Sequence, residues 1–171
     1  MEQQHKNLFY MDELPDYKIA SGYHDVRDWE VKDVHHKSIG KVDNLLVDIN
    51  TSRVVYLDVE VNGDIIDDDH DLYRVNSRKD IHEFINTKGD NHLLIPVGLV
   101  ALHPDQGYVQ SNSVDFRFFA DSGRIKKGTP INREYELLVV DSYGKGKRSK
   151  TITDGDDFYG SEEFDDKGFR K

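Results

Sequence analysis

The stretch Trp29–Val61, WEVKDVHHKSIGKVDNLLVDINTSRVVYLDVEV, decides the fold of this chain. It contains three extended runs, Trp29–Val34, Ser38–Asp48 and Arg53–Val61, and the two connections between them are short and polar. Short polar gaps between β-rich runs are typical of hairpins. The stretch therefore predicts an antiparallel meander.

The third run shows a period of two. One set of alternate positions is wholly apolar and consists of Val55, Leu57, Val59 and Val61. The other set is mixed and consists of Val54, Tyr56, Asp58 and Glu60. Alternate side chains of a strand point to opposite faces, and a slip of one residue would bury the two carboxylates. We therefore expect the first set in the core and the second on the outside of the sheet.

Further along, HLLIPVGLVAL (His92–Leu102) is a second β-rich segment, and its Pro96 and Gly98 predict a strand with a kink. A turn then leads to a last predicted strand at Tyr108–Ser111. Gly40 lies inside the second run, where a glycine usually marks a bulge or a corner at which a barrel bends.

Four segments of the chain, DVRDWEV, SIGKVDNLLVD, TSRVVYLDVEV and HLLIPVGLVAL, resemble the PRC-barrel family over roughly Leu14 to Ser113. The family is named after the cytoplasmic domain of the H subunit of photosynthetic reaction centres. It also includes the C-terminal domain of a ribosome maturation factor and small stand-alone bacterial proteins. The resemblance implies an all-β fold, a small barrel of antiparallel strands with short helical additions. Asp28 stands where the family usually has glycine, which suggests a different approach to the first strand.

We divide the chain into four parts on this basis. Residues 1–13 form an N-terminal arm, whose apolar knot Leu8–Met11 is expected to cover a sheet edge. Residues 14–113 form the barrel, and residues 114–141 form an extension packed on it. Residues 142–171 read as a polar, flexible tail because their composition is highly charged. The aromatic residues in that tail suggest docking, either in cis or onto a second copy.

The composition restricts the possible functions. The formal net charge is −10, which disfavours nucleic acid and anionic membrane surfaces as partners. The chain has no cysteine, so thiolate catalysis, disulfides and cysteine-held metal clusters are excluded. The N-terminus lacks the pattern of a signal peptide, and no apolar run is long enough to cross a membrane. We expect a cytoplasmic protein without direct membrane insertion.

Candidate catalytic and metal-binding motifs are absent from the sequence. The eight histidines are scattered, and none belongs to a recognised catalytic pattern. The acidic run Asp67–Asp71 contains His70 and raises the question of a metal site. It lacks the glycine of a calcium-binding loop, so we interpret it as a solvated acidic loop. We therefore expect no enzyme activity, no catalytic residues, no metal ligands and no cofactor.

These observations favour a non-enzymatic interaction module, an adaptor of the PRC-barrel type. The expected partner is another protein or a second copy of the chain. Its contact surface is expected at the acidic loop Asp64–Asp71 or on the sheet face that carries Tyr56, Asp58 and Glu60. Three alternatives stay open. The resemblance implies two of them, an H-subunit-like protein of photosynthetic electron and proton transfer and a ribosome-assembly protein. The acidic run Asp67–Asp71 leaves open the third, a metal-binding protein.

Overall fold

The structure is a computed structural model, and its described part comprises residues 8–19, 21–62, 91–112, 115, 125, 128–144, 159, 164–165 and 167–170. Several sequence predictions fall outside these residues. They concern the acidic loop Asp64–Asp71 and most of the segment after Ser113.

The strands of the described part follow the predicted runs closely. They are β1 (Leu8–Tyr10), β2 (Glu30–Lys32), β3 (Ser38–Asp48), β4 (Arg53–Val61), β5 (His92–Pro96), β6 (Val100–His103) and β7 (Tyr108–Ser111). The predicted kink after Pro96 is present as a 3-10 turn, Val97–Leu99, between β5 and β6. One α-helix, α1 (Arg133–Gly144), and two further 3-10 turns, Met11–Glu13 and Lys167–Phe169, complete the elements of this part.

The seven strands form one sheet, in which six follow the order β5-β4-β3-β2-β7-β6 and β1 lies off this path. Strands β2, β3 and β4 are the predicted antiparallel meander, and β5 pairs antiparallel with β4. The hairpin β6–β7 then returns to the far side of β2, where β7 pairs with β2 in parallel. The arm strand β1 pairs with Leu46–Asp48 of β3, so it covers that edge as expected. The sheet is thereby curled around its apolar inner face, as an all-β barrel-type fold requires.

Buried aspartates hold the two short turns of the meander. Asp33 is 1% exposed, and its Oδ1 accepts hydrogen bonds from the backbone N–H groups of His35 and Lys37, each at 2.8 Å. Asp48 is 3% exposed and accepts a hydrogen bond from the Thr51 hydroxyl at 2.7 Å. A carboxylate at the start of a turn replaces backbone hydrogen bonds that the strands cannot supply. The turns therefore set the register of β2, β3 and β4.

Bulges change which side chains reach the core. The pairing of β3 with β4 skips Asp43 on β3, and it shifts again between Leu46 and Val47, which leaves Val55 unpaired on β4. As a result, Val55 belongs to the outer apolar cluster and Val54 packs against the inner one. The strict alternation predicted for this strand is therefore wrong at its first positions. An extra residue reverses the alternation locally, and the bend it introduces helps the sheet to curl.

Gly40 is required by close contact between strands. A Cβ atom at this position would lie 2.0 Å from the Glu60 carbonyl oxygen on β4. The register of β2 against β3 also shifts beside it, as the prediction of a bulge implies. Asp28 has a φ of 75°, a left-handed conformation that glycine adopts without strain. This explains structurally why a glycine suits the position before Trp29.

Helix α1 follows the barrel and begins at a capped end. The Asn132 side-chain oxygen accepts a hydrogen bond from the Tyr135 backbone N–H at 2.8 Å, as a helix N-cap does. Glu134 and Glu136 lie in the first turn, where a negative charge is favoured by the helix dipole. No helix in the described ranges combines the length and the apolar composition needed to cross a membrane.

Candidate functional site

The outward face of β3, β4 and β5 is covered by the C-terminal part of the chain. Helix α1 and two tail residues pack on it and form a second apolar cluster outside the sheet. Its buried members are Leu8, Tyr10, Leu46, Val55, Tyr56, Leu94, Val139, Val140, Tyr159 and Phe164. We call α1, Tyr159 and Phe164 the cover, and the sheet surface beneath them the covered half-face.

The tail residues are anchored by specific contacts. Phe164 is fully buried, and its ring meets those of Tyr56 and Tyr159 edge-on, at centroid distances of 5.3 and 5.1 Å. Arg53 on β4 donates hydrogen bonds to the carbonyl oxygens of Tyr159, at 3.0 Å, and Phe164. Phe169 is also buried, in the inner cluster. The described tail residues thus dock in cis through their aromatic side chains, which a purely compositional prediction of flexibility does not reveal.

Glu136 is the polar centre of the cover. It is 3% exposed, and its Oε1 accepts hydrogen bonds from the hydroxyl groups of Tyr56, at 3.0 Å, and Tyr159. Its Oε2 lies 3.3 Å from Nε of Arg133, one turn earlier on α1. One carboxylate therefore connects the sheet, the helix and the tail. We call Tyr56, Arg133, Glu136 and Tyr159 the Glu136 network.

The electrostatics of this network follow from its burial. Removal from water raises the pKa of Glu136, and the hydrogen bonds and the Arg133 charge offset part of that rise. Burial and the nearby Glu136 charge raise the pKa of the Tyr56 and Tyr159 hydroxyls far above the usual value. Both tyrosines therefore stay protonated and act as hydrogen-bond donors. A fully satisfied set of this kind stabilises one arrangement of the cover.

A second polar cluster lies on the covered half-face and consists of Asp43, Asp58 and His92. Asp43 is the bulged residue of β3, Asp58 lies on β4, and His92 begins β5 opposite Glu60. His92 Nδ1 lies 2.7 Å from Asp58 Oδ1, and these two side chains are 3% and 1% exposed. One potential ligand atom from each of the three residues lies within 4.8 Å of the others. We call this set the Asp–His cluster.

The charge of Asp58 dominates this cluster. Burial lowers the pKa of His92, but the hydrogen bond and the charge of Asp58 outweigh this effect and raise it overall. Tyr10 and Tyr135 also respond to Asp58, which adds to the effect of burial in raising the pKa of both hydroxyls. The Asp58 carboxylate therefore favours the protonated form of the imidazole.

The predicted partner surface on β4 is not an open surface. Tyr56 and Asp58 are 0% and 1% exposed, and only Glu60 of that set is half-exposed. The alternation places these side chains outside the sheet, as expected, but the cover then buries them. The prediction of a partner contact at Tyr56, Asp58 and Glu60 is therefore wrong for this conformation. The other predicted contact, Asp64–Asp71, lies outside the described residues.

The other half of the outward face remains accessible. Alternation from the buried Val31 and Val109 places a mainly polar set of side chains on the outside of β2, β6 and β7. This set, which we call the open half-face, consists of Glu30, Lys32, Ala101, His103, Tyr108 and Gln110. Tyr108 is 8% exposed, and the other five are at least partly exposed. Lys32 Nζ lies 4.3 Å from the centre of the Tyr108 ring, and the His103 ring stacks on the same ring at 4.4 Å.

A cavity of about 260 Å³ lies at one end of the barrel. Its walls include Leu45 and Val97 of the inner cluster and Phe169 of the tail, while Lys18 and His24 line it too. Its described lining contains no carboxylate that could act as a base together with His24. The cavity is thus small and mainly apolar, and it does not bring an acid–base pair together.

The sequence analysis missed the residues that the fold brings together. Asp43, His92 and Glu136 were not singled out, because they are far apart in the chain and each lies in an ordinary charged context. One signal was present in β3, where VDNLLVD departs from strict alternation at Asp43. Such a departure indicates a bulge, but it does not identify the side chains that will face the bulged residue.

A curled, mainly antiparallel sheet, whose end strands β5 and β6 are connected by a short 3-10 turn, has the half-barrel form of an all-β barrel-type domain. The sequence profile of the PRC-barrel domain matches residues 19–115, which is more than half of the chain. The protein therefore belongs to the PRC-barrel family. The matched region ends before α1, so the helix and the tail residues of the cover lie outside it. No curated protein matches the sequence.

Proposed function

We propose that this PRC-barrel protein is a non-enzymatic adaptor that binds another protein through its open half-face. The observation that carries the proposal is the contrast between the two halves of the outward face. The buried carboxylates of the covered half-face are tied into internal contacts with Tyr56, Tyr159 and His92. The open half-face instead presents Glu30, Lys32, His103 and Gln110, which are at least partly exposed, around the buried ring of Tyr108.

The chemistry of the open half-face suits protein recognition. Tyr108 is held between Lys32 and His103, so its ring is fixed while its neighbours stay accessible. Tyrosine is enriched among the residues that dominate binding at protein interfaces. Glu30 and Lys32 place one negative and one positive charge on this face, although the chain as a whole has a formal charge of −10. A partner surface with the complementary arrangement of charges fits this face.

The test is an affinity capture with the tagged full chain from the lysate of its own host, with soluble and membrane fractions separated. We expect one stoichiometric partner from the soluble fraction, in line with a cytoplasmic location. The double substitution Lys32→Glu with His103→Glu is expected to abolish the capture. Lys18→Glu is the matched control, because Lys18 is exposed beside the cavity and outside the open half-face. This control is expected to retain the partner.

The other outcomes are informative. Capture that survives the double substitution but is lost when residues 64–71 are deleted would move the contact to the acidic loop. A partner present only in the membrane fraction would favour the H-subunit-like alternative. If the chain captures only itself, sedimentation analysis of the wild type and the double variant decides whether the open half-face joins two copies. Failure to capture any partner, with a monomeric wild type, would refute the adaptor proposal.

A further inference from the structure

Asp58, in the Asp–His cluster, carries a buried carboxylate oxygen that has no hydrogen-bond partner among the described residues. The Asp58 side chain is 1% exposed, and its Oδ1 is hydrogen-bonded to His92. Its Oδ2 is also buried, but it has no hydrogen-bond partner in the described part of the chain. Buried polar atoms of folded proteins are almost always satisfied by protein groups, water or an ion. An unused carboxylate oxygen inside a group of potential ligands therefore points to a bound species with positive charge.

We propose that Asp43, Asp58 and His92 form a binding site for one divalent transition-metal ion of the zinc class. They offer one imidazole nitrogen and two carboxylate groups, a mixed set that this class of ion accepts. One ligand atom from each residue lies within 4.8 Å of the others, so small side-chain movements bring all three to an ion. This inference does not depend on the adaptor function proposed above.

The distances indicate where the ion fits. The His92 Nδ1 and Asp58 Oδ1 atoms are 2.7 Å apart, a hydrogen-bond distance. Two ligands of a tetrahedral zinc ion are about 3.3 Å apart, given zinc–ligand distances of about 2.0–2.2 Å. The ion would therefore replace the hydrogen shared by this pair and spread the two atoms slightly. Three protein ligands leave a fourth coordination position for water or another group.

The position in the fold explains how the three ligands come together. Asp43 is available because the bulge on β3 adds one residue between Val42 and Asn44, which pair with Val59 and Asp58. The other two ligands come from the adjacent strands β4 and β5. An ion held there would connect three neighbouring strands beneath the cover. We therefore expect it to stabilise the barrel.

The test is a titration of the chelator-treated full chain with zinc chloride, followed by calorimetry and thermal unfolding. We expect one ion per chain and a rise of Tm by about 5–10 °C when zinc is at a hundred times its Kd. The substitutions Asp43→Asn and His92→Gln should each weaken zinc binding by at least about tenfold. Asp43 is half-exposed, so Asp43→Asn should fold even if His92→Gln does not.

Two matched variants locate the site. Glu60→Gln removes a carboxylate from the same strand, directly opposite His92, and should leave the zinc affinity unchanged. The triple substitution Asp67→Asn, Asp68→Asn, Asp69→Asn tests the acidic loop and should also leave it unchanged. An unchanged zinc affinity in Asp43→Asn, or a loss of zinc binding in the loop variant, would overturn the proposal. The absence of both bound zinc and a shift in Tm in the wild type would overturn it as well.

Discussion

The two halves of the outward face arise from the same alternation of side chains along the strands, but they differ in solvent exposure. On the open half-face, the outward positions of β2 and β7 carry Glu30, Lys32 and Gln110, which stay at least partly in water. On the covered half-face, the outward residues Leu46, Tyr56, Asp58 and Leu94 are at most 2% exposed. Alternation therefore determines the direction of a side chain, whereas burial on this side depends on chain segments far away in sequence.

The comparison also shows why the covered half-face carries organised polar groups. A polar side chain that faces water needs no partner, but one that is buried loses free energy unless it is hydrogen-bonded. Tyr56 and Asp58 occupy outward positions and became buried, and each has a partner, Glu136 and His92 respectively. Both polar clusters can thus be understood as consequences of adding a cover to a sheet with polar outward residues.

The largest expected difference between the halves concerns stability. Leu94→Ala on the covered half-face should lower the free energy of unfolding by about 2–5 kcal/mol, because it leaves a cavity between the sheet and the cover. Glu30→Ala on the open half-face should change it by less than about 0.5 kcal/mol, since Glu30 is exposed. Denaturation in urea measures both. A similar loss of unfolding free energy in the two variants would mean that the side chains of both halves are buried to the same extent.

A second prediction asks whether the cover can separate from the barrel. Phe164→Ala should lower the free energy of unfolding by about 2–3 kcal/mol. Truncation of a phenylalanine in the centre of a core lowers it by about 3–5 kcal/mol, and the expected loss is smaller here because the tail can detach while the sheet remains folded. Amide hydrogen exchange should then accelerate in α1 but not in β3. Phe164→Leu is the control, since it keeps most of the apolar contact and should retain the protection of α1. Equal acceleration in β3 would show that the cover and the barrel unfold together.

The sequence predicted the local part of this architecture well. The runs at β3 and β4 and their turns follow from nearby residues, since Asp33 and Asp48 are part of the turns they hold. The parallel pairing of β7 with β2 could not be predicted, because it joins residues nearly eighty positions apart without a local signal. The sequence predicted an extension packed on the barrel and docking of the tail's aromatic residues, but it did not reveal the contacts that build the cover, for the same reason. Tyr56 and Glu136 are eighty positions apart, and only the fold brings them together.

Bulges limit prediction in a different way. One extra residue on β3 and one on β4 reverse the faces of Asp43 and Val55, and neither is evident from composition. The Asp–His cluster depends on the first of these bulges. Predicting it would require the register of β3 against β4, which is a property of the pair rather than of either strand.

A third prediction concerns the hydrogen bonds of the cover. Tyr56→Phe removes one donor to the buried Glu136 carboxylate and should cost about 1–2 kcal/mol of unfolding free energy. Tyr17→Phe is the matched control, because Tyr17 is 36% exposed and should tolerate the change within about 0.5 kcal/mol. Thermal unfolding of both variants measures the difference. A neutral Tyr56→Phe would mean that Tyr159 and Arg133 satisfy Glu136 without help from the sheet.

The smallest expected effect is a change in the pH dependence of stability. Burial raises the pKa of Glu136 in the folded state, so the native protein holds this proton more tightly than the unfolded chain. Its contribution to stability is therefore fully present below the unfolded pKa of about 4.3 and is lost as the pH rises through the higher folded value. Glu136→Gln has no carboxyl group to ionise. Its free energy of unfolding relative to the wild type should therefore rise from pH 4 to pH 7, by about 1.4 kcal/mol for each unit by which the folded pKa of Glu136 exceeds the unfolded one. Glu134→Gln, an exposed change on the same helix, should show no such trend in urea unfolding across that range. A flat difference for Glu136→Gln as well would mean that its hydrogen bonds with Tyr56, Tyr159 and Arg133 fully offset its burial.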